Sequence, residues 1–453
     1  MPSVSGRLRV NAGSCRSDAK AAMNASVLTT CDSLATDVSQ DDLSPPADGL
    51  ARRVLNPCLV SDILPLEYGW GSVLLSQLVE GIHASPVSLV MAVTGGGSDA
   101  IAQLLQIPGA SRTVLEATVP YHPSALTQYL QSAPDNSCSL ATARSMAMVA
   151  FQRALQLAPE RDPEELAGVA CTASLATERQ KRGDHRVHIA LQTCQQSAAS
   201  SLLFNKGART RAEEEEVTRS LLLNEIAALC GVERGLAVEL LRGEEIDRPI
   251  ATARPLWREL MIGELDAVCD GRPDAPLPAT LFPGAFNPLH EGHELMAAIA
   301  ADVTGSTPAL EISITNVDKP PLDYDQMERR TQQVDPKFDL WFTRAATFAT
   351  KAGLFPGVTF VVGADTIKRI ADPVYYGDDL TNRDTAIRSI RDLGCRFLVF
   401  GRKQGSQFES LPDIVLPSSL QEICREVPRD RFRVDISSTE LRERAVQSAQ
   451  MTK

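Results

Sequence analysis

The stretch GAFNPLHEGH, Gly284 to His293, decides the fold of the C-terminal half of this chain. A short apolar run, ATLF (Ala279 to Phe282), leads into it and reads as a strand, while ELMAAIAADV leaves it and reads as a helix. A strand, a glycine turn and a helix start form an anion site, because the first helical N–H groups are unpaired and the helix dipole is positive there. Gly284 and Gly292 let backbone approach a phosphate with no Cβ in the way, and His290 and His293, three apart, share one helix face.

A second helix start of this kind lies downstream. FRVDISSTELRER, Phe432 to Arg444, reads as a strand entering a helix. Ser437, Ser438 and Thr439 stand where hydroxyls both cap a helix and bond phosphate, and Arg442, one turn further in, suits a forked contact with phosphate oxygens. Two such helix starts in one α/β domain imply a triphosphate ligand.

GAFNPLHEGH resembles the GxFxPxHxGH signature of the HIGH-motif nucleotidylyltransferases. Ile436 to Arg442, ISSTELR, is similar to the ISSTxxR signature of their nicotinamide or nicotinate mononucleotide adenylyltransferase branch. Between them, VVGAD (Val361 to Asp365) resembles the family's strand and GxD turn, and FLVFGR (Phe397 to Arg402) its next strand and arginine. The resemblance spans about 175 residues, from near Ala279 to the C-terminus, with order and spacing in agreement. It implies a Rossmann-like domain with a parallel sheet over residues 276–453.

The chemistry implied is positional and electrostatic. A mononucleotide phosphate is already ionised at neutral pH and attacks the α-phosphorus of ATP without a general base. The resemblance makes His290, His293 and Arg442 the catalytic residues. It makes Gly284, Ala285, Phe286, Gly292, Gly363, Asp365, Ser437, Ser438 and Thr439 the groups that hold ATP and its phosphates. Magnesium is the implied companion of ATP, bridging the triphosphate through phosphate and water oxygens, so no Asp-rich cage is needed. The acceptor would be met by Asn287 and by the segment Ser313 to Arg330, where Lys319 is either a phosphate or carboxylate ligand or a solvated loop residue. Where the family stacks the pyridine ring on a tryptophan, this chain offers Tyr375 and Tyr376.

Composition fits two α/β domains. With 453 residues, 43% of them hydrophobic, the chain is long enough for two full cores, and no apolar run approaches a membrane span. A net charge of −12 argues against general binding of nucleic acid or anionic membrane, so local positive sites must meet anionic nucleotides. Ten cysteines without a CxxC pair fit reduced thiols in a cytosol, with Cys171 and Cys395 expected in the core. Residues 1–54, rich in Ser, Ala and Asp, read as disordered. Arg7, Arg9, Arg16 and Lys20 lend a composition loosely like a transit peptide without a clear amphipathic face, and no apolar core of a secretory signal is present.

Residues 55–204 read as a second α/β unit: a helix over GWGSVLLSQLVEGIHASP, a strand over Ser88 to Gly96, a helix over SDAIAQLLQIPGAS, then strands at RTVLEATVPY and Val187 to Leu191. This order resembles the CinA C-terminal family, the nicotinamide-nucleotide amidases. Aligned on the TGG turn, however, Ala92 stands in place of that family's nucleophilic serine and Leu126 in place of its activating lysine, and VACTASLAT (Val169 to Thr177) replaces a glycine-rich loop. An alanine forms no acyl intermediate. Thr94, Ser98 and His122 are nearby substitutes for a nucleophile or base, but they read more simply as turn, cap and loop residues.

Residues 205–275 read as a helical connector. One helix runs through GARTRAEEEEVTRSLLLNEIAALCG with an apolar stripe at Leu221, Leu222 and Ile226, and a second covers PLWRELMIGELDAV. The run Glu213 to Glu216 reads as a solvated face and not as a metal site. The expectation is therefore an amidase-like unit without its catalytic residues, open to self-association, fused to an ATP- and magnesium-dependent adenylyltransferase acting on nicotinate or nicotinamide mononucleotide. Transfer of an adenylyl or cytidylyl group to another small phosphorylated acceptor, or a non-catalytic nucleotide sensor, are the competing readings.

Overall fold

Buried β-branched and aromatic runs alternate with amphipathic helices along most of the chain, and a computed structural model describes them over residues 69–178, 181–316, 319–404 and 407–432. In chain order the first half contains α1 (Gly69–Ala84), β1 (Ser88–Thr94), α2 (Ser98–Gln106), α3 (Ala110–Thr113), β2 (Val114–Thr118), α4 (Pro123–Leu130) and α5 (Leu140–Leu157). It continues through β3 (Leu166–Ser174), β4 (Arg186–Gln192), β5 (Gln196–Leu203), α6 (Arg211–Leu229), β6 (Ile246–Asp247) and β7 (Ile250–Thr252). These strands form one mixed sheet in the order β2-β1-β3-β4-β5-β6, with β7 also on β5. Strands β2, β1 and β3 are parallel and the rest antiparallel.

Strand β1 shows how the sequence sets the layers. All seven of its residues are buried, as a central parallel strand requires, and alternate residues meet different cores. Leu89, Met91 and Val93 face α6 residues such as Leu222 and Ile226, whereas Ala92 faces the cluster of Leu126, Ala143 and Met146 from α4 and α5. Cys171 and Cys395 are buried and free, in agreement with the core role read from the sequence.

The second half contains α7 (Pro255–Ile262), β8 (Ala267–Cys269), β9 (Thr280–Pro283), α8 (Glu291–Thr304), β10 (Ala309–Ser313), α9 (Tyr324–Thr331), β11 (Leu340–Thr343), α10 (Phe348–Leu354) and β12 (Thr359–Gly363). After these come α11 (Ala364–Ala371), α12 (Leu380–Asp392), β13 (Arg396–Phe400), β14 (Arg402–Gln404), β15 (Gln407–Glu409), α13 (Ser418–Gln421) and β16 (Cys424–Glu426). The sheet order is β16-β13-β12-β9-β10-β11-β8, parallel except for β8 at one edge, with β14 and β15 a separate hairpin. Reversal of strand order around β9 is the doubly wound pattern, which opens a crevice at the carboxyl ends of the central strands. The described residues thus form an α/β protein with two large sheets and one small hairpin.

Residues 205–275 are divided between the two sheets. Helix α6 buries Val217, Leu221, Leu222 and Ile226 on the first, and β6 and β7 extend that sheet, while α7 and β8 belong to the second. The helix expected over PLWRELMIGELDAV stops at Ile262, because Gly263 adopts φ 84, a left-handed C-cap, and the residues that follow enter β8. The solvated reading of Glu213 to Glu216 also needs correction. Glu214 is fully buried, with one carboxylate oxygen 2.7 Å from His185 Nδ1 and the other accepting the Ala176 N–H at 2.6 Å.

One apolar core runs through both halves. Val90, Met148, Phe151 and Ala154 of the first share it with Trp257, Tyr324, Phe342 and Leu398 of the second. Among the described residues no helix is long and apolar enough to cross a membrane.

Candidate functional site

Strand β9 delivers the chain to a tight turn before α8. The Gly284 N–H donates to the Glu311 carbonyl at 2.9 Å, continuing the β9–β10 ladder, and a Cβ at Gly284 would come within 2.6 Å of the Phe286 ring. Phe286 takes a left-handed φ of 41 and is 1% exposed. Its ring lies edge-on to Phe282 at 5.3 Å and to His293 at 5.2 Å. The expectation that Phe286 helps hold ATP is corrected for its side chain, which packs inward because the turn aims it at the core; only its backbone is left for a ligand. Ala285 and Asn287 are exposed on either side, and Gly292 is buried in the first turn of α8.

His290 is the N-cap of α8, and its backbone N–H donates to His293 Nδ1 at 3.3 Å. The two rings stack 3.8 Å apart with 27° between their planes. With Nδ1 of His293 accepting, the neutral ring carries its proton on Nε2. Burial lowers the pKa of His293 to about 4, helped by His290 and the Arg402 guanidinium. Burial and Arg402 also lower that of His290, whose buried Nδ1 has no hydrogen-bond partner among the described residues. At neutral pH the pair is therefore uncharged, a pair of polar N–H donors at a helix start.

The other described parts of the motif set converge by strand order. Strand β12 lies between β9 and β13, and Gly363 stands in register with Phe400, so the ends of these strands meet at one edge. Gly363 caps α11, Asp365 lies in its first turn, and Asp365 pairs with Arg402 just after β13. Arg402 was not among the site residues named from sequence, although the arginine of FLVFGR was the available signal. It is the cation that acts electrostatically on both histidines.

The acceptor candidates fare differently. Lys319 is exposed in the loop between β10 and α9, which closes where Leu322 N–H donates to the Ile314 carbonyl at 2.9 Å. Tyr376, in the turn after α11, donates its hydroxyl to the Ile370 carbonyl at 3.1 Å, and burial raises its pKa, so that group serves the local fold. Tyr375 is half-buried in the same turn. Ser437, Ser438, Thr439 and Arg442 lie outside the described residues. No group of three or more His, Cys, Asp or Glu placed to hold a metal ion occurs among the described residues.

In the first half, Ala92 and Leu126 are both buried in one apolar cluster. Thr94 Oγ1 donates to the Pro120 carbonyl at 3.1 Å, and His122 caps α4 by accepting the Ser124 N–H at 3.2 Å. Ser98 is exposed at the start of α2. A cavity of about 660 Å³ opens here between Thr94, Gly96, Ser98, Tyr121 and Glu215. Its polar end is already engaged, because Glu215 accepts the Gly97 N–H at 2.8 and 3.0 Å and the Asp99 N–H at 3.3 Å.

Several solved structures are similar to part of the chain. A competence/damage-inducible protein, CihA, from Agrobacterium tumefaciens is 21% identical, covering 34% of this chain and 95% of its own, with a TM-score of 0.28. A competence or damage-inducible protein from Enterobacter asburiae is 15% identical over 34% of this chain and 98% of its own, with a TM-score of 0.28. A competence-damaged protein (CinA) superfamily protein from Enterobacter cloacae is 15% identical over 38% of this chain and 99% of its own, with a TM-score of 0.29. No curated protein matches the sequence. Residues 281–444 match the family described as cytidylyltransferase-like, and this match begins in β9 and takes in the histidine turn, the Gly363 cap and Arg402. Over residues 281–444 the chain is thus similar to cytidylyltransferase-like proteins, which supports nucleotidyltransferase activity, and His290 and His293 follow the first strand of that stretch.

Proposed function

We propose that this domain transfers an adenylyl group from ATP to nicotinate or nicotinamide mononucleotide, releasing pyrophosphate and forming the dinucleotide. The observation that carries the reading is the stacked neutral pair His290 and His293 at the start of α8, with Arg402 beside it. Charge moves from the attacking phosphate toward the leaving pyrophosphate, so fixed N–H donors and a guanidinium at the strand ends stabilise the transition state without a proton transfer. The choice of ATP and of a pyridine mononucleotide rests on the ISST run at Ile436 to Thr439 and on the order of motifs. The described groups at the turn are nitrogen donors suited to phosphate oxygens, so magnesium would enter on the triphosphate, where it offsets the charge of the leaving group.

The family match favours one second reading, cytidylyl transfer to another small phosphorylated acceptor. The experiment uses the full chain with magnesium, ATP or CTP, and a panel of phosphorylated acceptors that includes both pyridine mononucleotides, followed by pyrophosphate release. Turnover confined to ATP with a pyridine mononucleotide is expected. Turnover with CTP alone would transfer the assignment to the second reading, and nucleotide binding without turnover would make the domain a sensor.

A further inference from the structure

We infer that the first half of the chain acts as a positioning element for the His290–His293 turn, through α9. This rests on the nucleotidyl-transfer reading of that turn. Helix α9 spans the two halves. At its N-terminus the Tyr324 N–H donates to Ser197 Oγ at 3.0 Å, and the Tyr324 hydroxyl donates to the Cys194 carbonyl at 2.7 Å. Tyr324, Ser197 and Cys194 are all buried, and Ser197 belongs to β5 of the first sheet. Arg144 of α5, also buried, pairs with Asp325 in the first turn of α9 and lies 3.8 Å from the N-cap Asp323.

At the other end the chain just beyond α9 holds the turn itself. Gln333 accepts the Leu289 N–H through Oε1 at 3.1 Å, and its Nε2 donates to the Arg329 carbonyl at 3.0 Å, which fixes the amide against the helix. Leu289 directly precedes His290, whose own N–H sets the His293 ring. Leu289, Val334 and Met327 pack on the same core as Phe286. Buried hydrogen bonds in the first sheet thus set the position of α9, and the end of α9 sets the backbone from which the two imidazoles project. Rigid support of this kind raises turnover more than it raises affinity, since the transition state needs the tighter geometry.

The test compares the full-length protein with Ser197→Ala, Tyr324→Phe, Gln333→Leu and Gln333→Glu. Backbone hydrogen exchange is read over 284–293 and, as an internal reference, over 359–363 in β12. Losing one hydrogen bond should speed exchange of the turn relative to the reference by about fivefold in the first three variants. Gln333→Glu keeps the acceptor for Leu289 but loses the donor to the Arg329 carbonyl, so its exchange ratio should fall between those of the wild type and Gln333→Leu. In the same variants kcat should fall more than KM for ATP rises. An unchanged exchange ratio in Ser197→Ala and Tyr324→Phe, whether both segments stay protected or both open together, overturns the inference. A wild-type protein that releases no pyrophosphate would instead defeat the functional reading, and the exchange ratio would still decide whether the two halves are coupled.

Discussion

If the proposed transfer is right, replacing His290 or His293 with alanine removes an N–H donor to the developing charge and should cost about 2 to 4 kcal/mol of transition-state stabilisation each, with ATP affinity little changed. Equal kcat in wild type and both variants would remove these residues from the mechanism. The lowered His293 pKa adds a signature, because its ring titration followed by NMR should centre near 4, not 6.5. Deamidation of a pyridine mononucleotide is expected to stay at background, since Ala92 and Leu126 are packed together as apolar core; steady ammonia release would refute this. The histidine pair was legible in sequence because a turn and a helix start are local. Phe286 was not, because whether it faces ligand or core depends on a left-handed backbone angle that no spacing reveals. The ion pair of Asp365 with Arg402 joins residues from two strand ends and becomes visible only once the sheet order is known.

At the scale of elements, α2 and α6 show a charge serving two helices. Glu215 of α6 takes the free N–H groups at the start of α2, a cap supplied from elsewhere in the chain. Glu215→Ala should therefore destabilise the protein by about 1 to 2 kcal/mol, read from denaturant unfolding, although a glutamate in an acidic run suggests a neutral substitution. An unaltered midpoint would show that solvent replaces the carboxylate without cost. Elements such as β1, β4, β9, β12, β13 and α8 were legible from hydrophobic periodicity, which follows from which face is buried, whereas VACTASLAT, read as a replaced loop, lies mostly in the buried central strand β3, whose small residues carry no such pattern. The fate of the glutamate run was not legible either, since Glu213 forms a capping box with Thr210, Glu214 is buried beside His185, and Glu215 caps α2. Three adjacent identical side chains meet three environments because a helix turns 100° per residue.

Across the whole molecule, burial depresses the pKa of four histidines: His83, His188, His290 and His293. The sign follows from linkage. The unfolded chain takes up these protons near pH 6.5 while the folded one resists until lower pH, so their contribution to stability is present above 6.5 and is lost as pH falls toward 4. The melting temperature should drop through that window. His188, with its pKa lowered to about 4 and its Nδ1 2.8 Å from Ser201 Oγ, lies outside the proposed transfer site, so His188→Gln should flatten the slope. An identical slope in the variant would show that other groups govern acid sensitivity.

The core that joins Met148 and Phe151 to Trp257 and Phe342 has a consequence for how the chain can be divided. Two domains with separate interiors melt independently, but an interior built from both halves has no seam. The intact protein should give a single calorimetric transition, with van't Hoff and calorimetric enthalpies equal; two resolved peaks would contradict this. A break near Arg254, between β7 and α7, would leave apolar surface of both fragments in water, so neither should stay soluble alone, whereas co-expressed fragments should recombine. Whatever reaction the first half does or does not carry out, Val90, Met148, Phe151 and their neighbours supply part of the interior wall of the second.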